Sequence, residues 1–151
     1  VWKWGMFVND DKYAGIRLDN QLCFPLYVCS KEIVRKYKPF LDELNLTYTQ
    51  YIAMMVLWEK KEVTVTELGN RLYLDSGTLT PLLKKLEQKG YVTRKRMESD
   101  ERNVCISITA KGDELKEEAV KIPKKIRCCM TLDDNEAKVL YSILHKVLDN
   151  F

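Results

Sequence analysis

Apolar residues recur at intervals of three, four or seven over the first third of this chain, which is the spacing of an amphipathic helix. The pattern begins near Asp19, a favourable N-cap residue, and predicts one long helix. Pro25 interrupts it early, and we expect this proline to bend the first turns or to delay the regular helix. The inward-facing positions are Leu22, Leu26, Ile33, Tyr37, Leu41 and Leu44.

Two shorter helices are predicted next. The first begins at Thr49 and runs through Trp58, and it is apolar on almost every side, as expected of a helix at the centre of a core. A polar link over residues 60–63 follows. The capping-box motif T-x-x-E at Thr64 then opens the second helix, which extends through Leu72.

A third helix and a change of period follow. Asp75 or Ser76 caps this helix, and Gly90 ends it. Beyond it, apolar and polar residues alternate over residues 91–97 and 104–109, with a polar tip between the two runs. This alternation predicts a β-hairpin.

Two more helices, over residues 111–127 and 133–149, complete the pattern. Two helices joined by a short turn and followed by a hairpin form a winged helix-turn-helix, so the predicted fold class is mainly α with a small β-wing. The prediction divides the chain into an N-terminal arm (residues 1–17), a helical dimerisation region (18–48 and 111–151) and a winged helix-turn-helix (49–110).

Length and composition fit one folded domain. Of 151 residues, 46% are hydrophobic and 31% are charged, which excludes a disordered chain, a collagen-like repeat and a small disulfide scaffold. The longest apolar run, residues 52–58, is far shorter than the ~20 residues that cross a bilayer, and no signal peptide is evident. We therefore expect a cytoplasmic protein with no membrane partner.

The net charge of +3 comes from one segment. Residues 76–103 hold seven basic and four acidic side chains, whereas the rest of the chain holds 18 of each. A solvated basic face in an ordinary α+β domain is the alternative, but order, spacing and charge together favour double-stranded DNA. The predicted DNA-binding residues are Ser76, Thr78, Thr80, Pro81, Lys84, Lys85, Arg94, Lys95, Arg96, Asp100 and Arg102.

The cysteines are odd in number, and a cytoplasmic protein keeps them reduced unless its function oxidises them. They are Cys23, Cys29, Cys105, Cys128 and Cys129. No two of them have the C-x₂-C spacing of a zinc site, and His145 is the only histidine. The sequence therefore predicts neither a structural metal nor a cofactor.

Two segments resemble the multiple-antibiotic-resistance regulator (MarR) family. Residues 74–109, LDSGTLTPLLKKLEQKGYVTRKRMESDERNVCISIT, are similar to its recognition helix and wing, including the wing motif D-x-R at Asp100 and Arg102. Residues 18–51, LDNQLCFPLYVCSKEIVRKYKPFLDELNLTYTQY, look like the branch that senses organic hydroperoxides. The resemblance implies a homodimeric repressor, not an enzyme, that leaves a pseudo-palindromic operator when an organic hydroperoxide oxidises a cysteine.

The resemblance also implies roles for single side chains. The sensing cysteine follows N-Q-L, which matches Cys23, and the two tyrosines that hold its thiolate match Tyr37 and Tyr48. A second, resolving cysteine matches Cys128 in the segment KIPKKIRCC. Its neighbour Cys129 is the reserve partner.

The position of Cys23 supports this chemistry independently. Unpaired N–H groups and the dipole at the start of a helix favour the thiolate, which is the oxidisable form. Tyr37 lies fourteen residues further along the same helix, about 21 Å at 1.5 Å per residue. Relatives usually have a residue other than proline at position 25. Unless Pro25 folds the helix back sharply, Cys23 and Tyr37 can meet only across a dimer interface. The alternative is that Cys23 is a small apolar residue at a packing face.

Two other functions stay open at this point. A MarR-type regulator can instead respond to a non-oxidising small molecule bound between its two regions. A thiol peroxidase is a third reading, although no C-x-x-C or T-x-x-C setting is present and a basic winged helix would then be unexplained.

Overall fold

The computed structural model describes residues 12–97 and 100–151, and for Met97 and residues 100–103 it describes the backbone alone. Two 3₁₀ turns, Ala14–Ile16 and Leu18–Asn20, precede the first helix. The regular elements that follow are α1 (Cys23–Glu43), α2 (Tyr48–Lys60), β1 (Glu62–Thr64), α3 (Val65–Leu72), α4 (Ser76–Gln88), β2 (Val92–Met97), β3 (Asp100–Ile108), α5 (Ala110–Glu114), α6 (Lys116–Ala119), α7 (Ile122–Arg127) and α8 (Asp134–Leu148). The predicted class, mainly α with a small β-wing, is confirmed, and most of the predicted N-terminal arm lies outside the described residues.

The first long helix begins later than predicted. Asp19 lies in a 3₁₀ turn, so its assignment as the N-cap is wrong, and α1 starts at Cys23. Pro25 is the third residue of α1, where a backbone N–H has no partner within the helix. Proline is tolerated there, and it marks a delayed start rather than a bend in the helix.

Side-chain caps fix the helices of the central region. Thr47, and not the predicted Thr49, caps α2 through a reciprocal capping box with Gln50. The predicted box at Thr64 is confirmed, since its hydroxyl accepts from the N–H of Glu67 and the Glu67 carboxylate accepts from Thr64. Asp75 caps α4 as predicted. These local bonds satisfy N–H groups that the helices cannot pair internally.

The sheet has three antiparallel strands in the order β1-β3-β2. The hairpin of β2 and β3 is the predicted one, and its tip residues 98–99 lie outside the described part. Residues 62–64, predicted as part of a polar link and the start of α3, form strand β1 against residues 105–107 of β3. The partner strand creates this short element, because three residues carry no alternation of their own.

The C-terminal third differs from the prediction in one respect. The helix predicted over residues 111–127 is divided into α5, α6 and α7, and Pro123 stands in the first turn of α7. The last helix agrees within one residue, and Asp133 caps it with a box formed by Glu136. A proline in the first turn fits a new helix start better than a helix interior.

The core is built around α2. Met54 and Leu57 are fully buried, and the indole Nε1–H of Trp58 donates to the carbonyl oxygen of Gly112 at 2.9 Å. This bond joins the centre of the core to the segment that follows the wing. By contrast, α8 has no buried residue.

We predict that Gly112→Ala destabilises the protein. A Cβ at this position would lie 2.1 Å from the carbonyl oxygen of Tyr91, so the backbone must move. Overpacking of this kind costs about 1–3 kcal/mol of unfolding free energy, which urea denaturation measures. Gly15→Ala is the control, since nothing lies within 4 Å of its added Cβ. Equal stability of the two variants would contradict the tight approach at Gly112.

Candidate nucleic-acid interface and thiol site

One face of helix α4 is buried in the core, and the opposite face is exposed to solvent. Its apolar side chains Leu79, Leu82, Leu83 and Leu86 are buried. The predicted DNA contacts on this helix are all exposed, and they are Ser76, Thr78, Thr80, Pro81, Lys84 and Lys85. The N-terminal half of α4 therefore offers small hydroxyl side chains, with two lysines one turn further on.

Hydrogen bonds orient two of these hydroxyls. Asp75 accepts from the Thr78 N–H at 3.0 Å and from its hydroxyl at 2.8 Å, and these bonds hold the pKa of the Asp75 carboxyl below its usual value. The Thr80 hydroxyl donates to the carbonyl oxygen of Ser76 at 2.7 Å. Each hydroxyl oxygen keeps a lone pair, so both threonines can still accept a hydrogen bond from a base edge.

The basic residues of the wing divide into two groups. Lys95 and Arg96 are exposed on β2. Arg94 is half-buried, and its Nη2 lies 2.6 Å from the Glu87 Oε2, so it joins β2 to α4. The side chains of Asp100 and Arg102 lie outside the described residues, and their predicted DNA contacts stay predictions.

A polar contact joins the end of α4 to the turn between α1 and α2 and to the first turn of α2. The Lys89 Nζ donates to the carbonyl oxygen of Asn45 at 2.6 Å and to the Gln50 Oε1 at 2.9 Å. Burial, and then the charge of Lys85, lowers the pKa of Lys89. Sequence reasoning missed this contact, because its partners lie 44 and 39 residues away and lysine usually faces solvent.

The two predicted thiolate-holding tyrosines lie together. The ring centroids of Tyr37 and Tyr48 are 5.0 Å apart with an edge-to-face angle of 64°, and the Tyr51 ring is 5.9 Å from Tyr37. Burial, and then the neighbouring Tyr48, raises the pKa of Tyr37. Its hydroxyl therefore stays protonated at neutral pH and can donate a hydrogen bond.

Cys23 is exposed at the first position of α1, far from these tyrosines within the protomer. The helix continues unbroken from Cys23 to Glu43, so Tyr37 lies about 21 Å away along its axis. The structure thus brings Tyr37 and Tyr48 together and leaves Cys23 at the opposite end of the helix. Cys23 stands in the first turn of α1, where a backbone N–H has no partner within the helix.

The two candidate resolving cysteines follow α7. Cys128 is its C-cap residue, and both Cys128 and Cys129 are exposed. Helix α7 contacts α1 at Phe40, whose ring centroid lies 4.8 Å from the Lys125 Nζ. Phe40 is about 25 Å from Cys23 along α1.

The remaining cysteines have contrasting surroundings. Cys29, on α1, is exposed in the protomer. Cys105 is partly buried on β3, and its thiol donates to the carbonyl oxygen of Val63 at 3.7 Å. Burial, and then the neighbouring Glu62 carboxylate, raises the pKa of Cys105.

Two apolar surfaces have no cover within the described part of the protomer. One is the start of α1 with the turn before it, where Leu18, Leu22, Phe24, Leu26 and Tyr27 are exposed. The other is α8, where Val139, Leu140, Tyr141, Ile143, Leu144, Val147 and Leu148 are exposed. Contiguous apolar surface of this kind marks an interaction site.

Neither a metal centre nor a membrane-spanning helix is found among the described residues. No group of three His, Cys, Asp or Glu side chains is placed to hold a metal ion within residues 12–97 and 100–151. In the same part of the chain, every helix is too short or too polar to span a membrane.

Comparison with known proteins gives consistent matches over nearly the whole chain. The family model described as transcriptional regulator SarA/Rot matches residues 35–119. The organic hydroperoxide resistance transcriptional regulator of Bacillus subtilis is 50% identical over 140 residues, covering 93% of this chain and 95% of the relative.

Two solved structures extend the comparison to three dimensions. Reduced AbfR of Staphylococcus epidermidis bound to DNA has a TM-score of 0.75 and 37% identity, covering 89% of this chain and 94% of that chain. A cysteine-to-serine mutant of MarR from Escherichia coli, complexed with operator DNA, has a TM-score of 0.79 and 26% identity, covering 91% and 99%.

We predict that the Cys105 thiol is alkylated more slowly than an exposed thiol. Iodoacetamide reacts with the thiolate, and its fraction falls about tenfold for each unit by which the pKa is raised. Variants that keep Cys105 or the exposed Cys29 as their only cysteine allow the two rates to be compared by mass spectrometry at several pH values. Adding Glu62→Gln removes a negative charge and is expected to speed the reaction of Cys105. Equal rates for Cys105 and Cys29 would contradict the assignment.

Proposed function

This chain belongs to the MarR and SarA family of winged-helix transcriptional regulators, in the branch of the organic hydroperoxide resistance regulators, and we propose that it is a homodimeric repressor. It binds operator DNA through α4 and the wing. Oxidation of Cys23 by an organic hydroperoxide releases the DNA.

The separation of Cys23 from Tyr37 and Tyr48 is the observation that carries this proposal. Cys23 starts α1, whereas Tyr37 and the adjacent Tyr48 lie near the other end of this helix. The thiolate and these hydrogen-bond donors meet when the α1 helix of a second protomer packs antiparallel to the first. Cys23 then lies beside the tyrosine pair of the partner subunit. The exposed apolar surfaces of α1 and α8 support such a dimer, because they gain cover when two protomers associate.

The DNA-binding role rests on the exposed half of α4. Its hydroxyl side chains face outward near the helix start, followed by Lys84 and Lys85, so base edges and phosphates are both within reach. Two such helices in one dimer match a pseudo-palindromic operator whose half-sites lie about 34–36 Å apart. The relatives solved with DNA, reduced AbfR and MarR, are consistent with this mode.

The proposed sensing reaction balances with two thiols and one peroxide. The Cys23 thiolate attacks the outer oxygen of the hydroperoxide, the O–O bond breaks, and an alcohol leaves, with sulfenic acid on Cys23. The thiol of Cys128 from the partner subunit then attacks this sulfur, which forms a disulfide and releases water. Cys129 is the reserve partner.

Disulfide formation is linked to DNA release by geometry. The bond needs Cα atoms within about 7 Å, so it requires the helices bearing Cys23 and Cys128 to approach each other. Lys89 bonds the end of α4 to the turn that joins α1 to α2. A shift of α1 therefore displaces α4, and the two recognition helices lose their fit to successive major grooves.

We predict that cumene hydroperoxide, at one equivalent per protomer, converts the protein into a disulfide-linked dimer on non-reducing gels and abolishes DNA binding. Dithiothreitol is expected to reverse both effects. Cys23→Ser is expected to bind DNA normally, ignore the peroxide and form no crosslink, because serine forms no sulfenic acid.

Three further variants identify the second thiol in this experiment. Cys128→Ser is expected to lose the crosslink, whereas Cys29→Ser, the control at another exposed cysteine of α1, is expected to keep it. If Cys129→Ser abolishes the crosslink instead, the role moves to the reserve residue. Release of DNA from oxidised Cys23→Ser would contradict the proposed sensor.

The same samples test the two alternative functions. A regulator with a non-oxidising ligand would release DNA with no change in the mass of Cys23. A thiol peroxidase would consume many equivalents of peroxide when a thiol reductant is supplied. Release after one equivalent, with a matching change in intact mass, supports the repressor.

We also predict that DNA binding falls steeply with salt. A dimer that neutralises ~6–10 phosphates loses about 10³–10⁵ in affinity between 50 and 200 mM salt. Lys84→Ala is expected to weaken binding and to lower the slope of log K against log salt by about one for each phosphate that is no longer neutralised. Lys138→Ala on α8 is the control and is expected to change neither. A Lys84→Ala slope equal to the wild type would exclude a phosphate contact there.

A further inference from the structure

Tyr73 is an exposed aromatic residue in the turn between α3 and α4. Among the side chains described between Glu62 and Ile108, it is the only large hydrophobic one that is exposed, at 64%. Within the described residues its hydroxyl has no hydrogen-bond partner, and its ring stacks on no other ring or cation. Among the described residues, the Tyr73 side chain therefore makes no hydrogen bond or ring contact that would stabilise the fold.

The backbone conformation of Tyr73 also disfavours a bulky side chain. Its φ of 53° and ψ of 40° place it in the left-handed region, where glycine and asparagine are favoured over an aromatic residue. The turn enforces this conformation, because the N–H groups of Tyr73 and Leu74 both donate to the carbonyl oxygen of Gly69. A tyrosine kept exposed at a position that suits glycine indicates a role outside folding.

The location of Tyr73 points to its ligand. It stands three residues before Ser76, the first residue of α4, so their Cα atoms lie within about 11 Å. When the start of α4 enters a major groove, which is ~12 Å wide, a residue at this distance faces the sugar-phosphate backbone that borders the groove. A phenol suits that surface, since its hydroxyl donates to phosphate and its ring packs on deoxyribose.

We infer that Tyr73 binds the DNA backbone beside the recognition helix, with its hydroxyl donating to a phosphate oxygen and its ring covering the adjoining sugar. The inference rests on the proposed DNA-binding function and adds a contact to it. A hydrogen bond from a hydroxyl group adds affinity without releasing a counterion. The turn fixes the backbone of Tyr73, which limits the backbone entropy lost on binding.

Two variants and one probe test this role. The probe is a 40-base-pair duplex, of a length of about four helical turns, that the reduced wild-type protein selects from a random-sequence pool, and binding is followed by fluorescence anisotropy. Tyr73→Phe removes only the hydroxyl and is expected to weaken binding about 10- to 150-fold, in line with removal of a hydrogen bond to a charged group. Tyr73→Gly removes the ring as well and is expected to weaken binding further. Neither is expected to change the salt slope, in contrast to Lys84→Ala.

Thermal stability separates DNA contact from a structural role. Tyr73→Gly relieves the left-handed strain, so its melting temperature is expected to equal or exceed that of the wild type while its affinity falls. A lower melting temperature, or wild-type affinity in both variants, would overturn the inference. If the wild-type protein selects no duplex from the pool, the proposed DNA-binding function itself fails; if it does and both variants match it, only the role of Tyr73 fails.

Discussion

The length of α1 is the constraint on which the proposed mechanism depends. An unbroken helix of 21 residues spans about 30 Å, and it holds Cys23 away from the aromatic cluster that packs against its other half. No side-chain rotation closes such a gap. The proposed chemistry, which needs both the thiol and the phenols, therefore requires two protomers, and in this proposal the dimer interface is part of the site.

A second constraint links that site to the DNA-facing surface. Gln50 is buried, caps α2 beside Tyr48, and also accepts from Lys89 at the end of α4. The Lys89 ammonium is partly buried and donates to both Gln50 and Asn45, so a relative shift of α4 and the start of α2 breaks these bonds. Helix α4 is thus joined directly to α2, which carries Tyr48, one of the two tyrosines proposed to hold the thiolate.

Local chemistry determines what could be predicted from the sequence. The box at Thr64, the cap at Asp75 and the glycine at Gly90, with its φ of 75°, were predictable because each depends on residues within a few positions. Strand β1 and the bonds of Lys89 depend on partners about 40 residues away, and no local pattern encodes them. The meeting of Tyr37 and Tyr48 came from resemblance, since only the packed fold places two rings from different helices edge to face.

The lack of buried residues in α8 has a consequence for how the protomer folds. Every buried core residue in the described part of the chain precedes this helix, and α8 adds none. The core of the protomer can therefore form without α8, and this helix can unfold locally without exposing any core side chain. Its apolar face stays available for a contact outside the protomer.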